Sequence, residues 1–426
     1  MYKDTGAGDA ASILLNLDDY TVLKSERHGA TRSVLVEPIS REAACPGCGV
    51  FSRRIQARPV HRVKDVDTGG KDLVLWVKKR RLVCLEEACK KKTFVQVTAQ
   101  VPLRSRLTTR LVGKIVEDCV NEIRTITGIA QANQVAWPTV LRKAFATEHI
   151  LLDVDQCLVR RLGIDEHRFR RIRYVLGPTG KAIRLEPWSI VFTDLETGRI
   201  LDVIDGRRGK AVTVWMAQRS EVWKRNIEYV SIDMSAEFRK AIHESLPEAK
   251  VSVDCFHIVQ RTHQMITAVR QRRAHDLHGR RGRNTDPAYK YRKLLTCNLE
   301  NLSVKQTERL KEILESDTEL AVVYAIKEHV RDLLKTNTPE AFATGWEKLS
   351  ASVKASGMDE AKSLLRTFTA WKKELETYCI TRLTNARSEA ANLTAKNFKR
   401  IGRGYINHEN YRLRILLFSA RDLRPC

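Results

Sequence analysis

Apolar and polar positions alternate through Leu73, Leu75 and Val77 inside the stretch 52–82, a period of two that predicts twisted strands with one buried face. The period changes after Pro102. Leu111, Ile115, Val116 and Cys119 recur at helical spacing, which predicts an amphipathic helix over 107–125. A short helix over 126–134 follows, then another opening at Trp137. Pro138 suits its first turn, because the missing N–H would be unpaired there anyway. From 160 onward strands alternate with helices: strands over 161–166, 188–193, 200–204, 227–233 and 250–253, helices over 211–222 and 236–246. That order, three strands and then helix, strand, helix, strand, is the one a ribonuclease-H-like fold requires. The next stretch, about 265–378, is helical by pattern, with Leu310, Ile313 and Leu314 and later Ala321, Val322 and Ala325 marking the faces. It reads as a helical insertion.

Composition supports folded cores: 43% of the 426 residues are hydrophobic, enough for two to four domains. Charge narrows the class. Lysine and arginine exceed the acids by 24, and a field of that size attracts polyanions, nucleic acid above all. The alternative is a ribosome-associated or merely soluble basic protein. Met1 to Asp4 lacks the basic-then-apolar pattern of a signal peptide, Ile13 to Leu15 is too short for its apolar core, and no run approaches the ~20 residues that span a bilayer. The expectation is a cytoplasmic, nucleoid-associated protein with no membrane partner, whose ten cysteines are reduced and serve metal or burial.

Four of them are paired by spacing. Cys45-Pro46-Gly47-Cys48 is a tight knuckle, turned with the help of Gly47 and Gly49, and Cys84 and Cys89 follow. Four thiolates in two short clusters fit a closed tetrahedral Zn²⁺ site, so the strands between them read as a zinc ribbon. Two unrelated buried cysteine pairs are the alternative. Cys119, Cys157, Cys255, Cys297, Cys379 and Cys426 are scattered and read as structural or incidental. From Cys45 to Arg110 there are 16 basic residues against 5 acidic ones. Arg80, Arg81, Lys90, Lys91 and Lys92 are the expected phosphate contacts there. The three helices after Pro102 have the arrangement of a helix-turn-helix, with Thr139, Arg142 and Lys143 at the head of the last one facing DNA. A plain three-helix packing unit has the same pattern.

Farther on, three strands end in aspartates: Asp165, Asp233 and Asp254. Hard oxygen ligands gathered at one sheet edge suit Mg²⁺ or Mn²⁺, although an aspartate at a strand end also caps helices. A ribonuclease-H-like site needs a third carboxylate from a later helix. Glu389 is the candidate, with Thr384 or Asn385 capping its helix and Asn392 three residues on, on the same face. Lys396, Lys399, Arg400 and Arg403 form a basic stripe beyond it, placed to hold a DNA backbone. Six arginines between Arg270 and Arg283, against one acid, read as a further face toward DNA. The expected domains are a zinc ribbon over 1–100, a helix-turn-helix over 101–158, the first part of the catalytic domain over 159–264, a helical insertion over 265–380 and the catalytic domain's C-terminal part over 381–426.

Gly163-Ile-Asp-Glu, Ile232-Asp-Met-Ser, Asp254-Cys-Phe-His and Thr384-Asn-Ala-x-x-Glu-x-x-Asn, with the following Lys-Arg and Gly-Tyr, resemble the bacterial insertion-sequence transposases of the ISL-three family. The zinc cysteines and Lys92-Thr-Phe resemble that family's N-terminal module. One departure is Ala390, where many relatives have glycine. The resemblance implies a DNA transposase with Asp165, Asp233 and Glu389 as its DDE triad, and it matches Asp254 and His257 to a supporting Asp-x-x-His signature. It implies two metal ions, bridged by Asp165 and clamped by Asp233 and Glu389, for in-line attack at phosphorus. His257 then orients a carboxylate or phosphate, or is structural. The implied partners are double-stranded DNA, as terminal inverted repeats and as target, and a second copy of the chain. Two rival readings stand beside it: an inactive zinc and helix-turn-helix regulator, and a nuclease of the same fold that cuts without joining.

Overall fold

Gly69 and Gly70, both with positive φ (58° and 68°), form a two-residue turn of the type that matches strand twist. They join strand β6 (Val60–Thr68) to β7 (Lys71–Lys78) in this computed structural model, which describes residues 10–146, 151, 153–185 and 187–421. The chain divides into two units, one comprising residues 1–151, 400–403 and 417–426 and the other residues 152–399 and 404–416.

In the first unit a short helix, α1 (Ala10–Leu14), precedes a hairpin of β1 (Tyr20–His28) and β2 (Thr31–Pro38). β2 pairs in parallel with β7, giving a four-stranded sheet of order β1-β2-β7-β6. Val34, Val36, Val63, Leu73, Leu75 and Val77 close its core with Leu17, Tyr20 and Val101, each burial worth roughly 1.5–3 kcal/mol. The predicted alternation is therefore present, but Leu73, Leu75 and Val77 belong to this sheet and not to the ribbon. An N-terminal hairpin without a clear signal in the sequence supplies their missing partner face.

The ribbon itself is smaller. It consists of β3 (Ala43–Ala44) with β4 (Phe51–Ser52), and of β5 (Ile55–Ala57), β8 (Arg81–Val83) and β9 (Thr93–Val95) in a second small sheet. Three short helices follow: α2 (Thr109–Asn121), α3 (Ile126–Ala132) and α4 (Trp137–Ala146). Thr108 caps α2 by accepting from Leu111 N, and Thr125 caps α3 by accepting from Gly128 N, satisfying donors the helices leave open. The apolar stripe predicted for α2 is buried at Leu111, Ile115, Val116 and Cys119. The fully buried Asp65 carboxylate on β6 ties the helices to the sheet, accepting from Thr108 Oγ1 at 2.6 Å and Arg110 Nε at 2.8 Å.

The second unit is built on β10 (Arg161–Arg168), β13 (Trp188–Asp194), β14 (Ile200–Asp205), β15 (Tyr229–Ile232) and β16 (Lys250–Val253), ordered β14-β13-β10-β15-β16. The first three run antiparallel and the last three parallel. A small hairpin of β11 (Arg173–Leu176) and β12 (Ala182–Leu185) interrupts them; it too had no clear signal in the sequence. β15 and the edge strand β16 are buried on both faces at Val230 to Ile232 and Val251 to Val253, as parallel strands covered by helices are.

Helices α5 (Gly209–Ala217) and α6 (Glu221–Arg225) replace the single one predicted over 211–222, and α7 (Ala236–Ser245) links β15 to β16. α8 (Cys255–His278) starts directly from Asp254, ten residues before the predicted onset of the helical stretch. It leads into α9 (Pro287–Lys290), α10 (Val304–Ser316), α11 (Thr318–Lys335), α12 (Pro339–Ser356), α13 (Asp359–Ala370) and α14 (Lys372–Thr381). One apolar core joins the sheet to these helices, from Ile164 and Phe192 through Ile266 to Val330 and Phe368. α15 (Ala386–Ile401) and α16 (His408–Ser419) close the order of elements.

Four of the six arginines between Arg270 and Arg283 are consumed internally, while Arg281 and Arg283 are exposed. Arg272 meets Glu319 and Glu360, Arg273 meets Asp317, Arg280 meets Asp286, and Arg270 is buried. The acids that neutralise them lie up to 90 residues downstream, so the local count of six arginines to one acid overstated what faces outward. No helix among the described residues is long and apolar enough to cross a membrane.

Candidate active site and metal-binding cluster

Sheet register brings the aspartates together. The last paired rung of β10 and β15 is Ile164 with Ile232, and that of β15 and β16 is Ile232 with Val253. Asp165, Asp233 and Asp254 therefore stand one step past the same rung on three adjacent strands. For Asp165 this corrects one detail expected from the sequence. β10 does not end there but continues to Arg168, held by antiparallel pairing with β13.

Ligand atoms of Asp233, Asp254 and His257 all lie within 4.8 Å of one another. His257 Nε2 is 3.0 Å from Asp233 Oδ2, and this contact raises the imidazole above its ordinary pKa. Burial, and next the charge of Asp233, push the Asp165 carboxyl up to about 6. Burial likewise raises Asp254, which also accepts from Phe256 N as the cap of α8. The helix-cap role and the cluster role are both real for this residue. Glu166, the neighbour of Asp165, points its carboxylate instead at Arg207 Nε, 3.2 Å away.

The chain entering α15 is fastened to this sheet at several points. Ser252 Oγ donates to Leu383 O at 3.0 Å, Asn385 Nδ2 lies 3.4 Å from Asp233 Oδ1, and Arg387 Nη1 donates to Leu195 O at 2.8 Å. Asn385 Oδ1 is buried and has no hydrogen-bond partner among the described residues. Asn392, fully buried, donates its amide to Asp165 Oδ2. Glu389 occupies the first turn of α15 and is exposed. Neither it nor Asp165 is part of the three-residue cluster. Asn392 thus faces the carboxylates, while its predicted face-mate looks outward.

Two residues that the sequence did not single out stand behind Asn392. His167 Nδ1 is 2.9 Å from Asn392 Oδ1, and His167 Nε2 is 2.8 Å from the Tyr411 hydroxyl. Burial lowers His167 to about 4, so at neutral pH the ring carries one proton. On Nδ1 that proton is donated to Asn392 Oδ1, leaving the amide NH₂ to face Asp165, while the Tyr411 hydroxyl beside Nε2 donates to Ala395 O at 2.9 Å. The signal was available: His167 lies two residues past Asp165 and so on the same face of a strand.

Gly163 permits the whole approach. A Cβ there would overlap Ser388 Oγ and come within 2.7 Å of Leu195 Cδ2. Gly163→Ala should lower stability by about 1–3 kcal/mol, the usual cost of overpacking, with partial recovery on adding Ser388→Gly. Thermal melts of the single and double variants check this; equal melting of Gly163→Ala and the parent would show that α15 does not bear on the strand.

In the first unit the four predicted cysteine thiols converge. Cys45 Sγ lies 3.9 Å from Cys89 Sγ and Cys48 Sγ 3.5 Å from Cys84 Sγ, all four within 4.8 Å. The edge of a tetrahedron with ~2.3 Å metal–sulfur bonds is ~3.8 Å, so the set fits one ion. Gly47 is needed because a Cβ would meet Cys89 Sγ at 3.2 Å. Its amide also pulls the Cys45 thiol down to about 7.

Of the predicted DNA contacts, Arg81, Lys90, Lys91, Lys92, Arg142, Lys396, Arg400 and Arg403 are exposed, and Thr139, Lys143 and Lys399 half-buried. Lys399 Nζ donates to Arg168 O. Arg80 is a correction. It is buried, donates to Pro38 O, Ser40 O and Gln96 Oε1, and pairs with Glu37. A guanidinium spent on internal acceptors cannot serve a phosphate; its place in a basic run concealed this.

The chain is also similar to known proteins. The model of the ISL3 DDE family, described as "Transposase", matches residues 162–415. A second, described as "zinc-finger of transposase IS204/IS1001/IS1096/IS1165", matches residues 41–98. The transposase for insertion sequence element IS1001 of Bordetella parapertussis is 25% identical over 405 residues, covering 92% of each chain. Among solved structures, the Drosophila P element transposase strand transfer complex is similar at a TM-score of 0.40 and 11% identity, over 73% of this chain and 91% of that one.

Proposed function

The chain belongs to the ISL3 DDE transposase family and is a DNA transposase, and from that premise we propose that Asp165, Asp233 and Glu389 are the metal-binding carboxylates of its DNA-cleaving and strand-joining site. One observation carries the reading: register sets Asp165 and Asp233 side by side past one rung of a parallel pair. The five-stranded sheet is read as a ribonuclease-H-like core, the helices α9 to α14 as its insertion, and α15 as the later helix that completes the site.

The donor set fits Mg²⁺ or Mn²⁺. It is made of hard oxygens with a single imidazole, and the mutual repulsion that helps hold Asp165 up at about 6 is what a cation offsets. Two such ions would activate water and then a 3′-hydroxyl, and stabilise the leaving oxygen. The protein's own groups do the positioning. His257 holds Asp233, the Asn392 amide holds Asp165, and Lys396, close enough for its charge to act on Asp165, meets DNA phosphate together with Arg400 and Arg403.

A second reading is favoured by the cluster geometry: Asp254 with His257, within 4.8 Å of Asp233, supplies the third ligand in place of Glu389. Comparing Glu389→Gln with Asp254→Asn in the same cleavage assay separates the two.

The cysteine cluster is read as a Zn²⁺ site and α2 to α4 as a helix-turn-helix whose last helix presents Thr139, Arg142 and Lys143 to the major groove. If Arg142 reads a base edge, Arg142→Ala should cost ~1–3 kcal/mol of discrimination between the element's end and a scrambled duplex. Equal loss on both DNAs would make Arg142 a phosphate contact. The protein is read as cytoplasmic and as a homodimer on DNA, since two element ends must be held together.

Incubation with Mg²⁺ and DNA carrying both ends of its element tests the whole. Cleaved ends together with joined products are expected. Cleavage without joining would leave a nuclease, and binding without cleavage a regulator.

A further inference from the structure

Between the small ribbon sheet and the hairpin β6–β7 lies a cleft of about 870 Å³. Arg62, Arg81, Lys91, Arg104 and Arg106 line it, and no carboxylate does. Among the described residues none of these five side chains makes an ion pair or hydrogen bond, although the same unit pairs Arg110 with Asp65, Lys64 with Asp72 and Arg58 with Glu37. Arg104 is held in the left-handed region at φ 58°, a conformation that costs an arginine free energy.

The sixth cation is the decisive one. Lys79 also lines the cleft and is only 4% exposed as a residue, and among the described residues no hydrogen bond or ion pair holds its ammonium. Burial pushes its pKa below the usual lysine range. A partly desolvated charge without a partner costs a fold free energy and is expected where a ligand supplies the counter-charge. Neighbouring Arg80 shows the contrast, since its guanidinium pairs with Glu37 and donates to internal carbonyls.

We propose that this cleft is a phosphodiester-binding site that seats the backbone of duplex DNA and takes in only Lys91 of the serial lysine run at Lys90 to Lys92. Its cations meet phosphate oxygens, and Trp76, 40% exposed at the cleft wall, packs against sugar. A single strand is the lesser fit, because single-strand grooves stack successive bases on several aromatic rings, and Trp76 is the one exposed Phe, Trp or Tyr ring among the lining residues. The inference rests on the reading that this chain acts on DNA.

The test uses the full-length protein and a labelled duplex of arbitrary sequence, because phosphate contacts are independent of sequence. Anisotropy is measured across a range of salt. Combining Arg62→Ala, Lys91→Ala and Arg106→Ala should weaken binding and reduce the log–log salt slope by ~0.9 for each phosphate no longer neutralised. Lys305→Ala, Lys311→Ala and Lys373→Ala together, with the same change in net charge on exposed helix surface, should leave the slope alone. Each cleft substitution is also measured singly, so the result does not depend on the triple variant folding.

Lys79→Met should raise the melting temperature while weakening DNA binding, opposite signs that a purely structural lysine would not produce. An unchanged slope in the cleft variants overturns the inference. So does Lys79→Met with lower melting and intact binding, or a single strand bound as tightly as the duplex. If those variants bind normally while the parent still cleaves and joins DNA, the cleft alone is refuted. A parent that binds no DNA refutes the functional reading itself.

Discussion

Asp233→Asn should abolish strand cleavage while leaving DNA binding intact. Asp233 is the carboxylate on which the geometry converges. It is adjacent to Asp165 in register, 3.0 Å from His257, and grouped with Asp254. Every reading of the ligand set includes it. An amide of the same shape keeps the packing but removes the anionic donor. Loss of several kcal/mol of transition-state charge stabilisation, at 1.36 kcal/mol per decade, amounts to roughly 10³-fold or more in rate.

A second readout guards against misfolding. The Asp233 charge helps raise Asp165 to about 6, so in Asp233→Asn the Asp165 carboxyl should titrate lower. Carboxyl-selective NMR across that pH range measures it. Mg²⁺-dependent cleavage at the parent rate in the variant would remove Asp233 from the chemistry altogether.

The second large effect concerns the cysteine cluster. Freshly purified protein should hold one Zn²⁺ per chain, and Cys84→Ser should unfold the ribbon without collapsing the adjoining four-stranded sheet. The reason lies in the two cores. The ribbon buries Cys45, Leu82, Cys89 and Phe94, two apolar side chains apart from the ligands themselves. At roughly 1.5–3 kcal/mol for each, these fall well short of the ~1–2 kcal/mol of backbone entropy per ordered residue. A structural Zn²⁺ contributes on the order of 10 kcal/mol or more and so dominates locally.

The neighbouring sheet has its own core from Leu17 to Val101 and no thiol ligand within it. Hydrogen exchange should show β8 and β9 exposed in the variant while β2 and β7 stay protected. Elemental analysis finding no metal, or uniform loss of protection in both sheets, would defeat this account.

Much of this was legible in the chain, and for a definable reason. Strand period, helix period, a proline at a first turn and the spacing of Cys45, Cys48, Cys84 and Cys89 are relations between near neighbours, set by backbone geometry within a few residues. The order of elements from β10 to β16 follows from them, and so does the appearance of aspartates where strands end. Asp165, Asp233 and Asp254 could be chosen before any fold was seen, because parallel strands stop pairing at a common edge, although β10 itself runs on to Arg168.

Other features were decided only by contacts across long separations. Leu73, Leu75 and Val77 announce a buried face, but that face closes on Val34 and Val36, and nothing local distinguishes this partner from the ribbon. Arg80 and Arg272 look like exposed cations in basic runs until Gln96, Glu319 and Glu360 arrive to satisfy them. Asn392 meets His167 from 225 residues away. The orientation of Asp165 is therefore a property of α15 packing on Gly163 rather than of the strand that carries it. A side chain's period tells whether it is turned inward. Which group it meets there depends on how separate apolar faces pair, and that is decided by the burial the whole chain achieves at once.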